Sequence, residues 1–313
     1  MEYHCISADG HIDLSWMPHD LFVSNASRAM KERMPYVAQN AAGPRWVTKA
    51  GLDLGFANGK GSAGVASSGG RTMYVAGKAH RLDRMASTGL YTDGAQDILR
   101  PTTPELRLQD QDRDGIQAEV LYSLLGTGNK MTDRDAAAEF YRIYNDWLSN
   151  FCSYDRKRFV GLASIPNHSV EAAVAEARRV AKLGLGGLDF ATSHDMIPLW
   201  NSYWDPFWKA AAEANLPVHF HTIGPPPPAT LPDDSPEAFK LASMATYAAG
   251  FQLYVAGLLA AVIHGGALER YPALRIVFGE SGIGWIPYVL NRMDYEYEDR
   301  FTGLGLKIKP SDY

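Results

Sequence analysis

Short apolar runs alternate with longer amphipathic segments along most of the chain. The apolar runs predict six strands, at 3–9, 118–122, 159–165, 185–191, 216–221 and 274–279. Apolar residues at helical spacing predict helices at 133–154, 170–181, 204–214, parts of 236–270 and 284–299. Strands joined through helices pair in parallel, and helices then cover both faces of the sheet. The pattern therefore predicts an α/β fold built from βα units.

The helix at 170–181 carries boundary signals at both ends. Ser169 stands directly before its first apolar residue, where a hydroxyl caps a helix N-terminus. Gly184 stands just beyond its last apolar residue, where a left-handed glycine commonly ends a helix. Together the two residues predict one helix between the third and fourth strands.

About a hundred residues, 15–115, separate the first two predicted strands. Residues 51–94 hold about ten of the 29 glycines and few apolar runs. A loop of this length without secondary structure is unusual and is commonly functional. We interpret 15–115 as an insertion that folds over the mouth of a barrel, and the alternative is an unstructured surface excursion.

Composition and length limit the class of protein. The chain has 313 residues, which exceeds the roughly 250 residues of one (β/α)₈ barrel. A composition of 46% hydrophobic and 21% charged residues excludes a disordered chain. The net charge of −5 and the lack of a basic run argue against a nucleic-acid partner. No stretch reaches the roughly 18 uninterrupted apolar residues of a membrane helix. Two cysteines make no disulfide framework, and no signal peptide is visible, so we expect a cytoplasmic protein.

Polar residues stand where the predicted parallel strands end, which is where βα folds place their sites. Asp9 and His11 are two residues apart and so point to the same side of the first strand. His219 and His221 repeat this spacing on the fifth strand, and Glu280 follows the sixth. Imidazole and carboxylate together suit zinc, manganese or iron. On this spacing Asp9, His11 and His221 are the candidate metal ligands.

Other candidate chemistry is weaker. His4, His19, His80 and His194 are interpreted as ordinary structural or surface residues, and His168 and His264 as weaker functional candidates. No G-x-S-x-G motif predicts a serine nucleophile. No G-x-G-x-x-G follows a strand, which argues against a dinucleotide site.

Several segments of the chain match motifs of a known family. They are Ser7–His11, Asp110–Tyr122, Tyr144–Leu148, Asp205–Trp208 through Val218, Gly266–Pro272 and Val277–Tyr288. These segments resemble the amidohydrolase-related family, the group that includes aminocarboxymuconate-semialdehyde decarboxylase, and Ser7–His11 looks like its first-strand metal motif, while Val277–Tyr288 looks like its sixth βα unit. Together they cover most of the chain apart from roughly 25–95.

The resemblance implies a distorted TIM-like (β/α)₈ barrel with one divalent metal at its mouth, zinc first and manganese or iron as alternatives. It implies His11, Asp9 and His221 as ligands, and it also implies a homodimer. Glu280 stands where decarboxylase members carry a histidine. The family's last strand carries a metal-binding aspartate, whereas Leu306–Tyr313 resembles the lead-in to strand seven. We therefore expect one barrel domain over 1–313 that lacks its last two strands.

Three functions remain open. The first is a metal-dependent hydrolase that uses a metal-bound water, with Glu280 and His221 as catalytic residues and a small cyclic or aromatic carbonyl substrate. The second is non-oxidative decarboxylation of an aromatic or muconate-like acid. The third is a non-catalytic fragment or pseudoenzyme. Trp46, Tyr74 and Tyr91 of the insertion are candidates to line the substrate pocket.

Overall fold

Two sets of parallel strands carry the fold, one in each of the two units into which the chain divides. The computed structural model of the protein describes residues 3–40, 43–57, 93, 96, 98–221 and 234–313. The first unit is Met1–Pro166 with Leu183–Leu185, and the second is Asn167–Lys182 with Gly186–Tyr313. His80, Tyr74 and Tyr91 lie outside the described residues.

The elements are numbered here in chain order. The strands are β1 (Ile6–His11), β2 (Tyr36–Asn40), β3 (Gly43–Val47), β4 (Asp53–Phe56), β5 (Ala118–Tyr122), β6 (Phe159–Ser164), β7 (Gly187–Asp189), β8 (Val218–His221) and β9 (Ile276–Gly279). The helices are α1 (Leu21–Asn25), α2 (Pro104–Asp114), α3 (Arg134–Ser153), α4 (Val170–Val180), α5 (Asp205–Glu213), α6 (Glu237–Gly250), α7 (Tyr254–His264), α8 (Ala267–Arg270) and α9 (Ile286–Asp299). All six predicted strands and the predicted helices are present, with ends that coincide with the predicted ones or differ by at most three residues.

In the first unit, β5 pairs in parallel with both β1 and β6. Helix α3 packs against β6, and Asn145 joins the two elements by exchanging hydrogen bonds with the backbone of Ser164 at 2.9 and 2.8 Å. Asp133 caps α3 by accepting a hydrogen bond from the backbone N–H of Ala136. These contacts pack one face of α3 against β6, and the parallel pairing of β5 with β6 brings the carboxyl ends of the two strands side by side.

In the second unit, β8 pairs in parallel with both β7 and β9. Its core centres on the fully buried Phe190, whose ring lies within 4.8–6.4 Å of four other aromatic rings, those of Trp204, Phe207, Trp208 and Phe220. Ser169 caps α4 as predicted, accepting a hydrogen bond from the backbone N–H of Ala172 at 3.1 Å. Gly184 has a positive φ of 74°, but α4 ends earlier than predicted, with Ala181 as its C-cap, so the glycine lies beyond the helix end and not at the C′ position.

That 15–115 folds over a barrel mouth stays a prediction, and the described parts of this segment contain regular secondary structure. Strands β2, β3 and β4 form an antiparallel sheet, and α2 is the helix that leads into β5. Trp46 on β3 is fully buried and donates its indole N–H to the backbone oxygen of Leu14 at 2.9 Å. It also packs edge-on against Phe22, which makes it a core residue of the first unit and not an open pocket wall.

One helical stretch, Ala238–His264, is long and apolar enough to cross a membrane by length and composition. This stretch is not an uninterrupted apolar run, because Lys240, Ser243 and Gln252 lie within it. Buried helices of globular proteins meet the same criterion, so the absence of a membrane partner stays a prediction.

Candidate metal centre

The end of β1 brings Asp9 and His11 together. Between Ser7 and Gly10 the pairing with β5 shifts register, because β1 advances from residue 7 to 10 while β5 advances only from 119 to 121. Such a bulge re-aims side chains and is common beside active sites. His11 Nε2 lies 3.4 Å from Asp9 Oδ1, and its ring stacks on Tyr122 with centroids 5.7 Å apart. The expected same-side pair is therefore present.

A buried ion pair lies behind β1. Arg107 on α2 donates from Nε and Nη2 to the two carboxylate oxygens of Glu119 on β5, both at 2.8 Å, and Gln111 donates to the same carboxylate at 2.8 Å. Burial acts to raise the pKa of the Glu119 carboxyl, but the hydrogen bonds and charge of Arg107 lower it overall, so Glu119 stays ionised. Gln111 and Glu119 lie in the segment Asp110–Tyr122 that carries the family resemblance, but the sequence indicated no role for them or for Arg107.

The end of β8 holds two buried histidines in the second unit. Burial lowers the pKa of the His219 imidazole to about 4, so this ring is neutral at pH 7. The side chain of His221 is only 3% exposed, and its Nε2 lies 3.6 Å from Glu280 Oε2. The two residues predicted to be catalytic are thus neighbours.

Glu280 reaches this position through an unusual backbone conformation. It follows β9 directly and has a φ of 47°, in the left-handed region that residues with a Cβ rarely adopt. Trp285 closes the turn by donating its indole N–H to the backbone oxygen of Ser281 at 2.7 Å. A non-glycine residue held in this region is strained, and such strain is often found at functional sites.

Five further histidines lie among the described residues. His4 and His194 are exposed, and His19 is within hydrogen-bond distance of the backbone oxygen of Ala57. His168 is partly buried, and His264 lines a pocket of about 470 Å³ together with Trp200 and residues of α7. Asp189 is another polar residue at a strand end, and no spacing pattern in the sequence indicated it. It is 2% exposed and paired in register with His219.

The donor atoms at the strand ends suit a transition metal. Asp9 contributes a carboxylate, and His11 and His221 contribute imidazoles, so each residue offers one ligand atom. Zinc, manganese and iron accept this combination of oxygen and nitrogen donors. By their chemistry, the donors in each unit therefore suit a divalent transition metal, Asp9 with His11 in the first unit and His221 in the second.

The chain is similar to known proteins of one family. The model of the amidohydrolase family matches residues 80–302. A gamma-resorcylate decarboxylase from a Polaromonas species is 30% identical over 241 residues, which are 70% of this chain and 71% of the relative.

Two solved structures are also similar. One is an amidohydrolase from Mycobacterium avium subsp. paratuberculosis, with a TM-score of 0.69 and 17% identity over all of this chain and 81% of that one. At this identity the likeness shows the fold alone, and the predicted TIM-like barrel class is confirmed.

The second structure is a 5-carboxyvanillate decarboxylase from Novosphingobium aromaticivorans, complexed with manganese and 4-hydroxy-3-methoxy-5-nitrobenzoic acid. It has a TM-score of 0.53 and 26% identity over 70% of this chain, which spans 62% of that relative.

The family model alone covers more than half of the sequence, and the resemblance noted from the motifs is thereby confirmed. The chain belongs to the amidohydrolase family of enzymes.

Proposed function

We propose that the protein acts as a metal-dependent decarboxylase of a hydroxylated aromatic acid. The observation that carries this proposal is the carboxylate-and-imidazole donor set at strand ends, in a chain whose relatives include decarboxylases of such acids. Hydrolysis, the first interpretation from the sequence, has weaker support than its decarboxylase alternative, because these relatives are decarboxylases.

Asp9, His11 and His221 are the proposed ligands of one divalent ion. The manganese in the 5-carboxyvanillate decarboxylase favours manganese over zinc here. When bound, the ion would supply a positive charge that attracts the carboxylate of the substrate. The neutral His219 adds no competing positive charge beside His221 at pH 7.

The reaction breaks the bond between the ring and the carboxylate, releases carbon dioxide and places a proton on the ring carbon. We assign that proton transfer to Glu280, because it is a titratable group 3.6 Å from His221 and the backbone holds it in the left-handed region. A half-exposed carboxyl can take its proton back from solvent after each turnover.

The test combines metal analysis with substrate turnover. The wild-type protein and the variants His11→Ala and His221→Ala are analysed for bound metal and for carbon dioxide release from a panel of hydroxybenzoates, with His194→Ala as the matched exposed-histidine control. We expect the first two variants to lose metal and turnover and the control to keep both. Metal content unchanged in both ligand variants would overturn the proposed site.

The same panel separates the alternatives. Hydrolysis of lactones or amides without carbon dioxide release would favour the hydrolase, and metal binding without any turnover would favour the non-catalytic alternative. We further propose that the protein is a cytoplasmic homodimer that binds a small-molecule substrate.

A further inference from the structure

Arg107 links helix α2 to the strand that carries Asp9 and His11. Besides its two hydrogen bonds to Glu119, its Nη1 donates to the backbone oxygen of His11 and to that of Pro101, both at 3.1 Å. The residue is 9% exposed. Arg107 therefore contacts the backbone of the proposed ligand itself, 96 residues away in the sequence.

Glu119 touches the same stretch of β1 from the neighbouring strand. It pairs in register with Ser7, the last residue before the bulge. Its carboxylate passes so close to Gly10 that a Cβ there would lie 2.5 Å from Oε1 and 2.9 Å from Cδ. The side chain thus occupies the space beside the residue that separates Asp9 from His11.

We propose that Arg107 and Glu119 are positioning residues of the metal centre. They hold the bulge and the backbone of His11 so that Asp9 Oδ1 and His11 Nε2 stay 3.4 Å apart, close enough to bind one ion. This inference rests on the proposed function, since it concerns the affinity of the same site for its metal.

A purely structural role would predict something different. A buried ion pair adds little net stability compared with apolar side chains of the same volume, so stability alone is a weak reason for its presence. Groups that orient metal ligands, by contrast, typically change metal affinity by 10–100-fold when they are replaced. A measurement of metal affinity therefore distinguishes a positioning role of Arg107 and Glu119 from a purely structural one.

The chain offers a matched control next to α2. Arg100 makes an equivalent pair with Asp110, donating from Nε and Nη2 to its carboxylate at 2.8 and 3.0 Å, and it also donates to Asp93. None of these partners belongs to β1. Arg100→Lys and Arg107→Lys thus make the same chemical change in two comparable ion pairs.

The experiment measures Mn²⁺ affinity of metal-free protein by calorimetry, together with the visible spectrum of the Co²⁺ form, which reports ligand geometry. We expect Arg107→Lys to bind Mn²⁺ about tenfold or more weakly and to alter the Co²⁺ spectrum. We expect Arg100→Lys to match the wild type in both. Gln111→Met, which keeps both charges and removes one hydrogen bond to Glu119, should shift affinity in the same direction by a smaller factor.

Each outcome decides one point. Wild-type affinity in both Arg107→Lys and Gln111→Met, with Mn²⁺ bound by the wild type, would overturn this inference and leave the proposed function intact. An equal loss of affinity in Arg100→Lys would also overturn it. Failure of the wild type to bind Mn²⁺ would overturn the proposed function, and the inference with it. If Arg107→Lys does not fold, Gln111→Met decides.

Discussion

Gly10 is the position where a single methyl group is expected to disturb the metal centre most directly. Gly10→Ala places a Cβ 2.5 Å from Glu119 Oε1, 2.9 Å from Cδ and 3.0 Å from Cγ. Separations below 3.0 Å are too short for carbon, so either Glu119 or β1 must move. Glu119 cannot swing away freely, because Arg107 and Gln111 together donate three hydrogen bonds to its carboxylate.

The magnitude follows from what that movement loses. Overpacking a filled site costs about 1–3 kcal/mol. Loss of one hydrogen bond to a charged group costs about 1.5–3 kcal/mol. Replacing glycine by alanine returns about 0.5–1 kcal/mol through the entropy of the unfolded chain. We therefore expect Gly10→Ala to lower the free energy of unfolding by about 1.5–5.5 kcal/mol.

The assay is urea unfolding of wild type, Gly10→Ala, Glu119→Ala and the double variant, with metal removed. Glu119→Ala deletes all three atoms that the new methyl group would meet. In that background Gly10→Ala should be neutral or slightly stabilising. The same loss of stability from Gly10→Ala in both backgrounds would refute this reasoning.

Four further predictions follow from the described residues. Burial raises the pKa of the Cys152 thiol to about 12, while Cys5 is exposed. A thiol reagent at pH 8 should therefore modify one cysteine per folded chain and two in urea, and rapid labelling of Cys152 would contradict this. Gly257→Ala within α7 should stabilise the protein by about 1 kcal/mol in urea unfolding, since nothing lies within 4 Å of the new Cβ, and a loss of stability would count against it. Ser169→Ala should cost about 1 kcal/mol in the same assay because α4 loses its cap, whereas no change would mean that the cap is dispensable. Mn²⁺ at about 100 times its dissociation constant should stabilise the wild type by about 2.7 kcal/mol in thermal unfolding, and an equal effect on His11→Ala would contradict the assigned ligand.

Local patterns determined most of the secondary structure. The six parallel strands are short apolar runs, and α3, α4, α5 and α9 show apolar residues at helical spacing, so each is visible within a few residues of sequence. Ser169 was recognised as a cap for the same reason, because a cap bonds to a backbone group only three residues away.

The antiparallel sheet of β2, β3 and β4 was missed for a physical reason. Its strands have only four or five residues, and Pro44, Arg45 and Gly55 break the alternation of apolar and polar positions. Strand preference depends on the partners across the sheet more than on the residues themselves. The pairing of β2, β3 and β4 can therefore be identified only from the folded structure.

Some features of the candidate site were also visible in the sequence, and others only in the tertiary structure. Spacing alone indicated that Asp9 and His11 share a side of β1, and the order of strands placed His221 and Glu280 at strand ends. Only the tertiary structure showed the bulge in β1, the left-handed backbone of Glu280 and the bonds from Arg107 to Glu119 and His11. The periodicity of neighbouring residues determines where strands end, so the sequence indicates these positions. The positioning of the metal-ligand backbone depends on contacts between segments up to 96 residues apart, and a local sequence pattern does not show such contacts.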